Sequence, residues 1–275
     1  MDGIDSVFHP ARYERDSDQR AVDSDSPDRA GPRPDSNPKT YSALLAMLPP
    51  LPAGAEILDV PCGSGALTWL LLKQGYRVTP CDVHPGKFAL HEPRCRTVNL
   101  NQGLPFADGF FDAAFFCEGP QVLENTAGAL REFWRVLKPG GSLLIALPNT
   151  TSLYSRLRFL FTGFFSGFIR PYNELTGEGN FHPMTLPELR FLLHRSGFRI
   201  EAVATNRYKW SGLLLILLAP AIWIATGAMV LQKSRGGMRK GGLELWRQLT
   251  SFPLLFGRSL LVRATRMEAL SRGES

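Results

Sequence analysis

Between Ala55 and Pro148 short apolar runs alternate with stretches of helical period, and glycine-bearing turns separate them. "AEILDV", "YRVTPCDV", "CRTVNL" and "FFDAAFFC" read as strands. "GALTWLLLKQG" and "AGALREFWRVLKPGG" read as helices, the second stopped by Pro-Gly-Gly before a further strand, "SLLIALP". Strands that are apolar on both faces must be covered on both faces, and their alternation with helices selects a parallel sheet between two helical layers. A hydrophobic content of 44% over 275 residues supplies the core of one α/β domain with extensions.

The flanks differ in character. Residues 1–38 are rich in Asp, Ser, Pro and Arg, cannot bury enough surface to offset their ordering entropy, and are expected to form a disordered polar tail. The first helix is expected at "KTYSALLAML", ended by Pro49 and Pro50. Acidic residues follow Met1 where a secretory leader carries basic and apolar ones, which points to the cytoplasm. Cys62, Cys81, Cys95 and Cys117 form no Cys-x-x-Cys pair, so neither a metal site nor a disulfide framework is expected.

The turn in "ILDVPCGSGALTWLL" joins a buried strand to a helix. Gly63 and Gly65 let the backbone approach a ligand, and the following helix directs its amides toward it. Asp82 closes the second strand, where a carboxylate can accept ribose hydroxyls. The turn alone also reads as an ordinary tight connection, and Asp82 as the cap of a following helix. With Pro61 at the first position it lacks the G-x-G-x-x-G spacing of dinucleotide enzymes.

These segments resemble motif I and the following acidic motif of class I S-adenosylmethionine (SAM)-dependent methyltransferases. "VNLNQGLPFADGFFDAAFF", "LREFWRVLKPGGSLLIALPN" and "HPMTLPELRFLLHRSGFRIEAV" continue the resemblance over roughly residues 40–205. It implies a Rossmann-like, doubly wound, seven-stranded sheet with SAM as cofactor. By position, Asp59 would hold the amino acid moiety of SAM together with the backbone of Cys62, Gly63, Ser64 and Gly65. Asp82 would bind the ribose, Asn99 and Leu100 would face the adenine, and Cys117 and Glu118 would border the methyl group. Two positions depart from the pattern: Asn99 stands where the family commonly has Asp, and Gln121-Val122 replaces a Glu-His pair.

No histidine base is therefore inherited at Gln121-Val122. Glu118 is a candidate catalytic carboxylate, or else a group satisfying backbone amides. His182 precedes the helix "TLPELRFLL" and is a candidate base, or else an anchor for the aromatic segment before it. Alignment of the reactants alone contributes roughly 7–11 kcal/mol to such a reaction.

"SGLLLILLAPAIWIATGAMVL", residues 211–231, has about the ~20 apolar residues of a membrane span. With "FRIEAVAT" as strand six and "RSLLVRATR" as strand seven, this run lies in a connection that starts and ends in one sheet, so a single span is excluded. Arg207 and Lys209 precede it and Lys233, Arg235, Arg239 and Lys240 follow, placing both ends on one side of a bilayer. A re-entrant or in-plane membrane element is expected, against a lid over the acceptor pocket or a dimer interface. The expected divisions are a tail (1–38), a SAM-binding domain (39–206) with an aromatic insertion (150–181), a docking or lid insertion (207–257), and a closing strand with tail (258–275). The expected activity is methylation of a hydrophobic, lipid or lipid-linked acceptor, or else SAM binding by a membrane scaffold without catalysis. No nucleic-acid partner is indicated.

Overall fold

A computed structural model describes residues 31–168, 179–208, 216–232 and 238–268. Seven strands form one sheet: β1 (Glu56–Asp59), β2 (Arg77–Asp82), β3 (Arg96–Thr97), β4 (Phe111–Cys117), β5 (Leu137–Pro148), β6 (Phe198–Ala204) and β7 (Ser259–Arg266). Their order is β3-β2-β1-β4-β5-β7-β6. The first five are parallel, and β7 runs antiparallel between β5 and β6.

The helices are α1 (Pro38–Met47), α2 (Ala66–Lys73), α3 (Thr126–Val136), α4 (Leu153–Thr162) and α5 (Leu186–Arg195), then α6 (Ala219–Gln232), α7 (Met238–Leu249) and α8 (Phe252–Phe256). Phe111, Phe115 and Phe116 of β4 are fully buried because helices cover both faces of this central strand. One face packs with Leu130, Phe133, Leu189 and Leu193, the other with Leu44, Leu67 and Leu71. The Pro-Gly-Gly stop expected before the fifth strand lies within it. β5 begins at Leu137, paired with Phe111, and the register shifts before Ser142 pairs with Ala113.

Residues 31–37 correct the expected extent of the polar tail. They have a defined course across the glycine turn, and Asn37 caps α1 by accepting from the Lys39 N–H at 3.0 Å. Residues 1–30 lie outside the described residues.

The apolar run divides into a 3₁₀ turn (Ile216–Leu218) and α6, with Pro220 in the first helical turn, where its missing N–H costs nothing. Among the described residues no helix is long and apolar enough to cross a membrane. α6 packs on α7 through Trp223 and Trp246, whose ring centroids are 4.5 Å apart. Arg190 of α5 ties α7 to the domain through Glu244 at 3.1 Å. The excursion is closed at its root, where Tyr208 bridges Gly257 and Arg258 N–H donates to Arg207 O at 3.0 Å. The buried Asn149 amide donates to the carbonyls of Leu254 and Gly257, fixing the return to the end of β5. Residues 211–215 of the run, 169–178 of the aromatic insertion and the tail 269–275 lie outside the described residues.

Candidate functional site

Asp59, Asp82 and Cys117 are the last residues of β1, β2 and β4, so the parallel strands deliver them to one edge of the sheet. There they wall a cavity of about 520 Å³ together with Cys62, Gly63 and Glu118. Gly63 and Gly65 adopt left-handed backbone, φ +52° and +87°. A Cβ on Gly65 would lie 2.7 Å from the Phe88 ring, so a larger residue there would have to displace that ring and adopt a strained backbone.

Asp82 clamps this turn to β2. Its Oδ2 accepts from Gly63 N–H and its Oδ1 from His84 N–H, both at 2.9 Å. Each oxygen keeps a second lone pair, the requirement for gripping a vicinal diol.

Asp59 is almost fully buried. Its Oδ2 accepts from Thr68 Oγ1 at 2.6 Å, while its Oδ1 is buried with no hydrogen-bond partner among the described residues. Burial pushes its carboxyl up to about 7, against the Thr68 hydrogen bond. A buried acceptor without a donor is costly, and an ammonium group placed in the cavity would satisfy it. The SAM amino acid moiety carries such a group, so the donor set of this cavity fits SAM.

Glu118 follows β4 in left-handed backbone, φ 57°, the only non-glycine with positive φ among the described residues. Such a conformation costs on the order of 1–3 kcal/mol and turns the side chain away from the strand direction. Burial raises its carboxyl above the ordinary glutamate range, against hydrogen bonds from Gln121 and Ser36. Burial also holds the Cys117 thiol well above the ordinary cysteine range.

Other expected residues stand elsewhere. Asn99 and Leu100 are not among the residues lining the cavity. Asn99 Oδ1 accepts from Asn101 N–H at 3.0 Å, the local turn that Asn side chains favour, and Leu100 is buried in the core. His182 lines neither this cavity nor its neighbour. Its Nε2 pairs with Glu188 Oε1 at 2.9 Å and its backbone N–H donates to Gln121 O at 3.1 Å, contacts that anchor the preceding segment.

Sequence reasoning missed the strap formed by residues 31–37. Asp35 Oδ2 accepts from Ser64 N–H at 2.6 Å, and Ser64 Oγ donates to Arg33 O at 2.8 Å. The Asn37-Pro38 pair is the available signal, since a cap followed by proline places ordered chain before the helix. It also missed a second cavity of about 300 Å³ beyond Glu118, lined by Arg158, Arg207 and Arg258 among others. Among the described residues no cluster of His, Cys, Asp and Glu could hold a metal ion.

Sheet order, glycine turn and terminal acids are those of a class I methyltransferase fold. Residues 58–145 match the family model described as a methyltransferase domain. A demethylmenaquinone methyltransferase of Corynebacterium kroppenstedtii is 42% identical over 107 residues, 38% of this chain and 45% of that one. A ubiquinone/menaquinone biosynthesis C-methyltransferase of Nitrobacter hamburgensis is 31% identical over 122 residues, 38% of this chain and 48% of that one. The matched region thus spans less than half the length of these relatives. In structure the chain resembles a SAM-dependent methyltransferase from Archaeoglobus fulgidus, with TM-score 0.54 and 16% identity over 82% of this chain and 93% of that one. It also resembles one from Mesorhizobium loti, with TM-score 0.50 and 19% identity over 83% and 98%.

Proposed function

We propose that this chain is a SAM-dependent methyltransferase acting on a hydrophobic acceptor of the quinone or lipid-linked class, at the cytoplasmic face of a membrane. The observation that carries the cofactor reading is the buried, unpartnered Asp59 Oδ1 in the wall of a cavity whose turn is clamped by Asp82. When bound, SAM supplies a methyl group activated by its sulfonium. Asp59 would hold the cofactor's ammonium and Asp82 its ribose hydroxyls, while the glycine turn leaves room for its backbone approach. Glu118, held by Gln121 and bordering the neighbouring cavity, would orient an acceptor group and take up its proton.

The acceptor class is supported by the names of the relatives and by exposed apolar side chains. Leu160 and Phe161 of α4 are 72% and 81% exposed, and Leu217, next to α6, is 86% exposed. Apolar residues this exposed on neighbouring elements suit an in-plane contact with lipid.

The test is incubation of purified full-length protein with methyl-labelled SAM and a membrane lipid extract. Labelled lipid with stoichiometric S-adenosylhomocysteine supports the reading. SAM binding without transfer to any extract would leave the non-catalytic scaffold, and absence of SAM binding would sink both. Flotation with anionic liposomes tests the docking element: protein remaining in the soluble fraction would remove it.

A further inference from the structure

We propose that the cavity between Arg158, Arg207 and Arg258 is the headgroup site for the acceptor, and that it takes a phosphate ester borne on an apolar chain. This rests on the methyl-transfer reading and narrows its substrate. Ser36, Glu118 and Asn180 line both this cavity and the one assigned to SAM, so a group held here lies next to the cofactor.

The charge is the first argument. Three guanidiniums arrive from separate elements: Arg158 from α4, Arg207 after β6 and Arg258 before β7. Among the described residues none of them forms an ion pair. Glu118 is the one acidic residue in the described lining. Even with that carboxyl ionised the described lining keeps a surplus of two positive charges, which a phosphate dianion matches and a single carboxylate does not.

Unsatisfied atoms are the second. Nε of Arg158, Nε of Arg207 and Oδ1 of Asn206 are buried without a hydrogen-bond partner among the described residues. Buried polar atoms in folded proteins are ordinarily paired, so the two orphaned guanidinium nitrogens call for an acceptor. The planar fork of Arg is matched to phosphate oxygens, and several forks converging on one space suit a tetrahedral oxyanion.

Exposed apolar residues next to two of these arginines are the third argument. Tyr208 follows Arg207 directly and meets Phe252 in a tilted ring contact with centroids 4.9 Å apart, each residue 47% exposed. On α4, Phe159 follows Arg158 and leads to Leu160 and Phe161, all exposed. A cationic chamber whose arginines adjoin exposed apolar residues in sequence suits an amphiphile bound by its headgroup. It does not fit a neutral ring system, which would strip water from three guanidiniums and return no hydrogen bonds.

The test is calorimetric titration of the full chain with dodecyl phosphate below its micelle concentration, beside dodecyl maltoside, inorganic phosphate and SAM. Dodecyl phosphate is expected to bind, and the Arg207→Gln/Arg258→Gln double variant is expected to weaken it by roughly 10–100-fold while SAM affinity stays within about twofold. Arg258→Lys, which keeps the charge at an exposed position, is expected to retain part of the affinity that Arg258→Gln loses. Unchanged dodecyl phosphate binding in the double variant, or equal binding of dodecyl maltoside, overturns the proposal. Inorganic phosphate binding as tightly as dodecyl phosphate overturns the lipid source in favour of a soluble phosphate compound. If the phosphate results hold but SAM does not bind the native chain, the methyl-transfer reading fails and the anion site stands.

Discussion

The Gln121 side-chain amide donates to Glu118 Oε2 at 2.5 Å, three residues along the same loop. Gln121 is buried and holds the carboxylate between the two cavities. Burial raises the Glu118 carboxyl and this donation lowers it, so the pair sets the pH at which the carboxylate forms.

Gln121→Ala is therefore expected to move the acid limb of the pH–rate profile upward, with SAM affinity within about threefold of native. Glu118→Gln, which removes the titrating group, is expected to lower transfer roughly 10²–10⁴-fold, the span of a general-base contribution. A profile that stays in place in Gln121→Ala would detach Glu118 from proton transfer.

Asp82→Ala is expected to weaken SAM by roughly 10–100-fold, since hydrogen bonds to a charged group are worth about 1.5–3 kcal/mol. It also releases Gly63 N–H and His84 N–H, so the melting temperature is expected to fall. Calorimetry and a thermal melt read both; native SAM affinity would remove Asp82 from the cofactor site.

Asp59 makes cofactor binding pH-dependent. Its carboxyl is pushed to about 7 by burial, whereas an ammonium partner requires the carboxylate. SAM affinity is expected to fall as pH drops below about 7, approaching tenfold per unit, with proton release on binding. For the cofactor-free chain the sign is opposite. The folded state holds this proton more tightly than the unfolded one, so the Asp59 contribution to stability declines as pH rises from the ordinary aspartate value to about 7. Asp59→Asn is expected to remove both slopes, read by titrations and melts at pH 5–8.

Asp35 places a carboxylate on the Ser64 amide, at the turn where the cofactor is expected to lie. Asp35→Ala is expected to tighten SAM several-fold by removing this internal competitor for the amide. Weaker binding would show that the strap supports the bound cofactor instead.

The sheet was legible because its information is local. "FFDAAFFC" is apolar on both faces and bounded by turns, so its central place follows from burial alone. Asp59 and Asp82 were legible because they end strands, and parallel strands end together. Asn99 does not line the cavity, and the sequence does not show that its side chain accepts from Asn101 N–H. His182 was correctly placed after the aromatic segment, but its partner Glu188 lies in the next helix and also serves a capping box with Thr185. The arginine chamber was not legible: Arg158, Arg207 and Arg258 are separated by up to a hundred residues, and tertiary packing alone brings them together.

Tyr208 and Gly257 form the doorway through which the chain leaves the sheet and comes back. With the doorposts joined, whatever length runs between them leaves the β6–β7 register unchanged, and each doubling of a flexible loop adds only about 0.6 kcal/mol of closure entropy. The excursion is in effect a replaceable cassette. Exchanging it for a short linker, or for the corresponding stretch of a relative, leaves the walls of the cofactor chamber in place, since none of them comes from residues 209–257. A lineage could thus retarget its acceptor without reinventing its chemistry.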